Sequence, residues 1–280
     1  MNIDVAPQRI LVLKDQIRAD DAEKKAWEKK TNAFDAISKV TSFLSRPKDD
    51  DFELVYREHR YQPVWHVKAS ARYVYDRNTS YQVPVSGREV QSVTLHATEY
   101  QTTNTHIHVP VTEHCTQEEY EEVLLDGVTG NQLPDASLVS KPSDIVHGAL
   151  EKAVSKDAIL VPPQVRVSAI VRDALSKMIK GIQADTILEE KVDVSAVDLI
   201  YRPIYAFQFQ WKSKGKEGIL EIDGVTGDIT SGTRIFREYL GKVIDPDFLF
   251  DIGADAAGMF IPGGSIAVKA ARKYIAIKKR

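Results

Sequence analysis

The amino-acid sequence predicts an α+β fold: a duplicated module of a helix packed on antiparallel β-strands, with an inserted β segment in the first copy and a C-terminal helical tail. Three observations carry that expectation. Asp126-Gly127-Val128-Thr129-Gly130 recurs as Asp223-Gly224-Val225-Thr226-Gly227. Glu53-Leu54-Val55-Tyr56-Arg57 is echoed by Asp198-Leu199-Ile200-Tyr201-Arg202, and prolines follow at 63 and 203. Each proline leads into a strand-like alternation, from Trp65 in one case and from Tyr205 in the other. One such match could be chance; an ordered set of them argues duplication.

The elements follow in chain order. Residues 15–45 predict a helix, mostly charged as far as Lys30, with Trp27 and then Phe34, Ile37, Val40 and Leu44 at helical spacing. Pro47 and the run Asp49-Asp50-Asp51 end it. Trp65, Val67, Ala69, Ala71, Tyr73 and Tyr75 then alternate with His66, Lys68, Ser70 and Arg72, the period of a half-buried strand. Asp76 to Thr79 has turn chemistry, and short strands are expected at 80–85, 89–97 and 105–111. Tyr56 to Asp126 is far longer than Tyr201 to Asp223, which places the inserted β segment at about Arg77 to Val111. Thr116 to Leu125 fits either a helix opened by a Thr116–Glu119 capping box or a strand running into Asp126.

Two helices are expected next. Ser143 can cap one carrying Ile145, Val146, Ala149, Leu150, Ala153 and Val154. Beyond Pro162-Pro163, the other carries Ile170, Val171, Ala174, Leu175, Met178, Ile179 and Ile182 as an apolar stripe. Tyr205, Phe207, Phe209 and Trp211 alternate along the next strand, a turn at Ser213–Lys216 reverses it, and Ile219 to Ile222 returns. The chain thus divides into 1–135 (helix and first copy), 136–240 (two helices and second copy) and 241–280 (an apolar and basic segment). Ile37, Val40 and Leu44 should pack on the first set of strands, and Ile170, Leu175, Met178 and Ile182 on the second.

Composition bounds the function. A chain of 280 residues with 43% hydrophobic and 28% charged residues is globular and not disordered. A formal net charge of −3 supplies no global attraction to nucleic acid or an anionic membrane. The single cysteine, Cys115, excludes a disulfide within the chain and suits a reducing compartment. The start Met1-Asn2-Ile3-Asp4-Val5 has neither the basic nor the apolar stretch of a signal peptide. Asp251, Asp255 and Pro262-Gly263-Gly264 interrupt the least polar run, so no transmembrane segment is expected and the protein reads as cytoplasmic.

No nucleophile elbow, Walker loop, dinucleotide fingerprint or His-Glu-x-x-His is present, so no catalytic residue is nominated and the reading leans away from an enzyme. Two clusters remain. His106, His108, His114 and Cys115 offer the nitrogen and sulfur ligands zinc favours, although their spacing matches no closed four-ligand pattern. Lys269, Arg272, Lys273, Lys278, Lys279 and Arg280 give a basic amphipathic tail, to be read either as a docked helix end or as a contact for an anionic membrane or nucleic acid. The two Asp-Gly-Val-Thr-Gly sequences are read as tight turns, since a cation loop needs more converging carboxylates.

A helix leading into a β-hairpin whose last strand runs into Asp-x-x-Thr-Gly resembles the PepSY module, on Asp223 to Gly227 and again on Asp126 to Gly130. The resemblance covers about a quarter of the chain. It implies a non-enzymatic protein that acts by contacting other proteins, peptidases among them. The functional expectation is accordingly an interaction or scaffold protein whose partner meets the inserted β segment or the polar face of the aromatic strands. The alternatives are a peripheral adaptor using its basic tail and a zinc-binding protein using the His/Cys cluster.

Overall fold

Two long strands form the spine of the molecule. β3 (Phe52–Pro84) and β9 (Thr186–Trp211) run antiparallel to each other from Phe52↔Trp211 to Asp76↔Thr186. This computed structural model describes residues 2–34, 48–134, 136–146, 150–179, 181–232 and 234–239, and the backbone of 267–270. Each long strand forms a hairpin with its own successor, β3 with β6 (His106–Asp126) and β9 with β10 (Lys216–Asp223). β11 (Ile229–Gly232) continues the sheet beyond β10. On the same side of β9, β1 (Asn2–Val5) and β2 (Gln8–Leu13) add in parallel. β7 (Ser143–Ile145) pairs with β2, β8 (Ile159–Leu160) with β3, and β12 (Ala267–Ala270) with β1. The result is one ten-stranded mixed sheet, with a separate small hairpin of β4 (Ser92–Leu95) and β5 (Thr98–Gln101).

This architecture overturns the expected α+β module. Strand accounts for 54% of the described residues, which include two α-helices, α1 (Ala19–Glu28) and α2 (Val167–Met178). Among the described residues the segment after Ser143 is not an α-helix: Ser143–Ile145 joins the edge of β2, and Leu150–Lys152 makes a single 3-10 turn. Periodicity misleads there because a short apolar spacing fits a bent edge segment as well as a helix. Asp76 to Thr79 is no turn either, since β3 runs through it and pairs with Val111–His114. Polar residues suit this stretch because a two-stranded ribbon leaves them in water. Thr116 to Leu125 is strand throughout. The expected helical tail is contradicted at Ala267–Ala270, which lies parallel to β1; a short run of small and β-branched residues there completes a sheet edge. Residues 35–47, with Ile37, Val40 and Leu44, lie outside the described residues.

Period-two alternation does bury one face of each long strand. Trp65, Val67, Ala69, Ala71 and Tyr73 are buried, as are Tyr205, Phe207, Phe209 and Trp211. The helices cover these faces in crossed order. α1 presses Ala22 and Ala26 onto Phe207, Phe209 and Leu220 of the later hairpin. α2 lays Ile170, Val171, Ala174 and Met178 on the earlier one, packing on β3 and β6. The expected placement of Ile170, Leu175 and Met178 on the later strands is therefore corrected. Because β9 runs beside β3, each helix can reach across the spine, which a sequence read module by module does not convey.

Both Asp-Gly-Val-Thr-Gly segments fold into the same turn. Asp126 and Asp223 accept from the backbone N–H groups two and three residues ahead, at 2.6–3.0 Å. Gly130 and Gly227 each hold φ +77°, where a side chain would strain the backbone. The N–H of Gly127 bonds Pro63 O at 2.7 Å, and that of Gly224 bonds Pro203 O at 2.9 Å.

Candidate functional site

Past Asp76 the spine loses β9, and β3 continues with β6 alone from Arg77↔Glu113 to Pro84↔His106. Eight residues of ribbon at about 3.3 Å each give an arm about 26 Å long. Cross-strand partners share a face, so register sorts its side chains. Thr79, Tyr81 and Val83 stand opposite Val111, Val109 and Ile107 on one face. Asn78, Ser80 and Gln82 stand opposite Thr112, Pro110 and His108 on the other. One face is thus apolar and the other polar. Tyr81 is 52% exposed and Val83 43%, so much of the apolar face meets solvent. Arg77 bonds Glu113 at 2.5 and 2.8 Å, and the Tyr81 hydroxyl bonds the same carboxylate at 2.8 Å, which fixes the ring at the base of the patch. Those partners hold Glu113 below the usual carboxylate range.

The second edge of β6 carries no strand among the described residues. Pro110 removes one N–H from this strand, and Glu118, Glu119, Glu121 and Glu122 crowd its inner half. Such features discourage strand addition at an edge. The faces of the arm are therefore more open to contact than its edge.

The polar face of the spine holds buried charge that sequence reading did not nominate. Arg60, 1% exposed, donates to Glu58 at 2.7 Å and to Glu221 at 2.6 Å, with its guanidinium 4.7 Å from the Phe236 ring centre. His66 lies between Asp198 (Nδ1 to Oδ2, 3.0 Å) and Glu122 (Nε2 to Oε1, 2.9 Å). Arg9 grips the same Asp198 through two bonds, at 2.7 and 2.9 Å. Burial alone would lower the His66 pKa, but the two carboxylates outweigh it and raise the value. Burial alone would raise Asp198, but His66 and Arg9 outweigh that and hold it below the ordinary carboxylate value. A strand alternation with His66 among lysine and serine gave only a polar face; nothing in it foretold Asp198 opposite.

On the other face Asp15 gathers the hydroxyls of Tyr61 (3.0 Å) and Tyr205 (3.1 Å) and lies 3.2 Å from His59 Nε2. His59 stacks on Tyr205 with ring centres 4.4 Å apart. Burial tends to raise Asp15, yet His59 and the tyrosines lower it overall. A cleft of about 190 Å³ opens where Gln62, Arg202, Asp126, Glu221, Asp223 and Asp228 meet; the first three of these carboxylates are tied to Gln62, Arg60 and Arg202, and Asp228 accepts from the Thr226 hydroxyl.

The residues nominated from sequence are placed as follows. His106 and His108 share the arm's polar face, with His106 Nδ1 2.9 Å from Asn104 O. His114 is on that face too, but six strand residues beyond His108, about 20 Å, and its Nδ1 lies 2.7 Å from Asp76. Cys115 projects from the opposite face, its Sγ 3.8 Å from Glu113 O. Among the described residues no three His, Cys, Asp or Glu side chains are placed to hold a metal ion. Lys269 sits in β12, and Arg272, Lys273, Lys278, Lys279 and Arg280 fall outside the described residues. No helix among the described residues is long and apolar enough to cross a membrane. Compared with known proteins, the chain matches no family model, and neither the curated proteins nor the solved structures give a significant match.

Proposed function

We propose that this chain is a non-enzymatic interaction protein that docks on a partner protein through the apolar face of its arm. One observation carries the reading: Thr79, Tyr81, Val83, Val109 and Val111 share a face of a ribbon that leaves the sheet, and Tyr81 and Val83 stay open to solvent. A ribbon of this kind gains little stability from its own two strands, so an aromatic and aliphatic stripe along it suits contact with another surface. The absence of catalytic motifs from the sequence is consistent with this role. A cytoplasmic setting fits the single cysteine, which leaves no disulfide to form within the chain.

The test is face-specific crosslinking in native cells. A photo-crosslinking residue at Val83 should capture a discrete partner protein, while the same residue at Gln82, on the opposite face, should not. Equal capture from both positions, or capture from neither, overturns the proposal.

A further inference from the structure

We infer that Arg9, Asp198, His66 and Glu122 form a proton-operated latch, in which loss of a ring proton from His66 releases Glu122 and loosens strand β6 at the edge of the sheet. The four side chains form a chain of alternating charge across four neighbouring strands: Arg9 on β2, Asp198 on β9, His66 on β3 and Glu122 on β6. Arg9 and His66 each stand directly opposite Asp198 in register. Glu122 stands opposite Lys68 and reaches diagonally to His66. The middle is dry and the ends are wet, with side-chain exposures of 49%, 0%, 4% and 44% from Arg9 to Glu122.

Both ring nitrogens of His66 face carboxylate oxygens at about 3 Å, an arrangement satisfied only when both carry a proton. A neutral imidazole has one N–H, so one contact must then set a nitrogen lone pair against an anion. Asp198 cannot move away, because it is buried and held by Arg9. The remaining proton therefore stays on Nδ1 toward Asp198, and Glu122 is the group that leaves. Half-exposed and opposite Lys68, Glu122 can turn to water or to that ammonium at little cost. What is lost is a side-chain tie between β6 and β3, on a strand whose second edge carries no strand among the described residues, only isolated bridges such as that from Leu125 to Gln132. The raised His66 pKa places the change above the ordinary histidine value of about 6.5.

Hydrogen exchange on the full chain tests the latch without any partner. The amides of residues 120–124 are compared with those of the β9–β10 ladder as an internal reference, after correction for intrinsic exchange, at about pH 5.5 and about pH 8.5. Relative protection at 120–124 should fall severalfold at the higher pH, because a charge-assisted bond across the β3–β6 ladder is lost. Glu122→Gln, a half-exposed change that should not disturb folding, should remove the dependence. Constant relative protection in the natural chain, or an undiminished fall in Glu122→Gln, overturns the inference.

Discussion

Gln62 and Arg202 stand directly opposite each other in the β3–β9 ladder, and each reaches for the aspartate that opens the turn following its own hairpin. Gln62 Nε2 donates to Asp126 at 2.7 Å, and Arg202 pairs with Asp223. The centre of the spine is therefore locally two-fold in its backbone and unequal in its charge. One aspartate has an amide for a neighbour; the other has a guanidinium and is only 3% exposed.

That inequality predicts unequal mutants. Asp223→Ala removes the acceptor for two backbone N–H groups and leaves a partly buried Arg202 without its ion pair, so it should cost about 2–4 kcal/mol. Asp126→Ala loses a similar turn but only a neutral amide partner, at about 1–2 kcal/mol. Urea unfolding of the two variants decides it. Equal losses would mean that the charge on Arg202 is irrelevant to the turn.

Phe209 and Gln208 are neighbours on opposite faces of β9. Phe209 is 1% exposed and its ring lies 6.0 Å from that of Trp27, while Gln208 bonds Glu217 at 2.7 Å near solvent. Phe209→Ala should lower stability by about 3–5 kcal/mol through lost burial and a cavity. Gln208→Ala should change it by less than about 0.5 kcal/mol. Denaturant midpoints separate the two, and a mild Phe209→Ala would imply that α1 collapses into the gap.

These same residues show what a sequence can convey. Phe207, Phe209, Trp65 and Val67 were legible because a strand with one buried face writes its period directly into the residue types. The two Asp-Gly-Val-Thr-Gly turns were legible because aspartate, threonine and glycine each have a local backbone role there. Which strand lies beside which is a different matter. Nothing within Asn2–Val5 or Gln8–Leu13 says that they run parallel to β9, and nothing in Ala22 or Ile170 says that each helix crosses to the other hairpin. The candidate sites suffered similarly. Arg9, His66 and Asp198 are separated by 57 and 132 residues and meet only because three strands share a register. The arm was expected as an inserted segment, but its two faces emerge only once Tyr81 is paired with Val109.

Asp15 predicts the acid limb of stability. Its carboxyl is held below the ordinary value of about 3.9 by His59, Tyr61 and Tyr205, against the opposing effect of burial. A depressed folded-state pKa means that the stabilisation is fully present above the unfolded value and is lost as pH falls through the folded one. Asp198 acts in the same direction. Asp15→Asn should therefore flatten part of the stability loss below about pH 4 and cost about 1–3 kcal/mol near neutrality, where a charged acceptor has become neutral. Thermal melts across the acid range check this; an unaltered acid limb would show that Asp15 is not linked to folding.

The arm should be dispensable for folding. Beyond Asp76 its backbone bonds run between β3 and β6, and the β4–β5 hairpin at its end is a separate sheet. Of its side chains, Ile107 is the deeply buried apolar one, so removal sacrifices little of the core that α1 and α2 cover. Excising Ser80 to Pro110 and joining Thr79 to Val111 through an Asn-Gly turn closes the ribbon on a hydrogen-bonded pair and suits its right-handed twist. Asn78 would keep its backbone bond to Asp185 at 2.6 Å and its side-chain bond from Thr112 at 2.9 Å, both at the base of the cut. The shortened chain should unfold cooperatively, with a stability change within about 1 kcal/mol and a slightly smaller denaturant slope because less surface is exposed on unfolding. A broad or multi-step transition would instead show that the sheet depends on its arm.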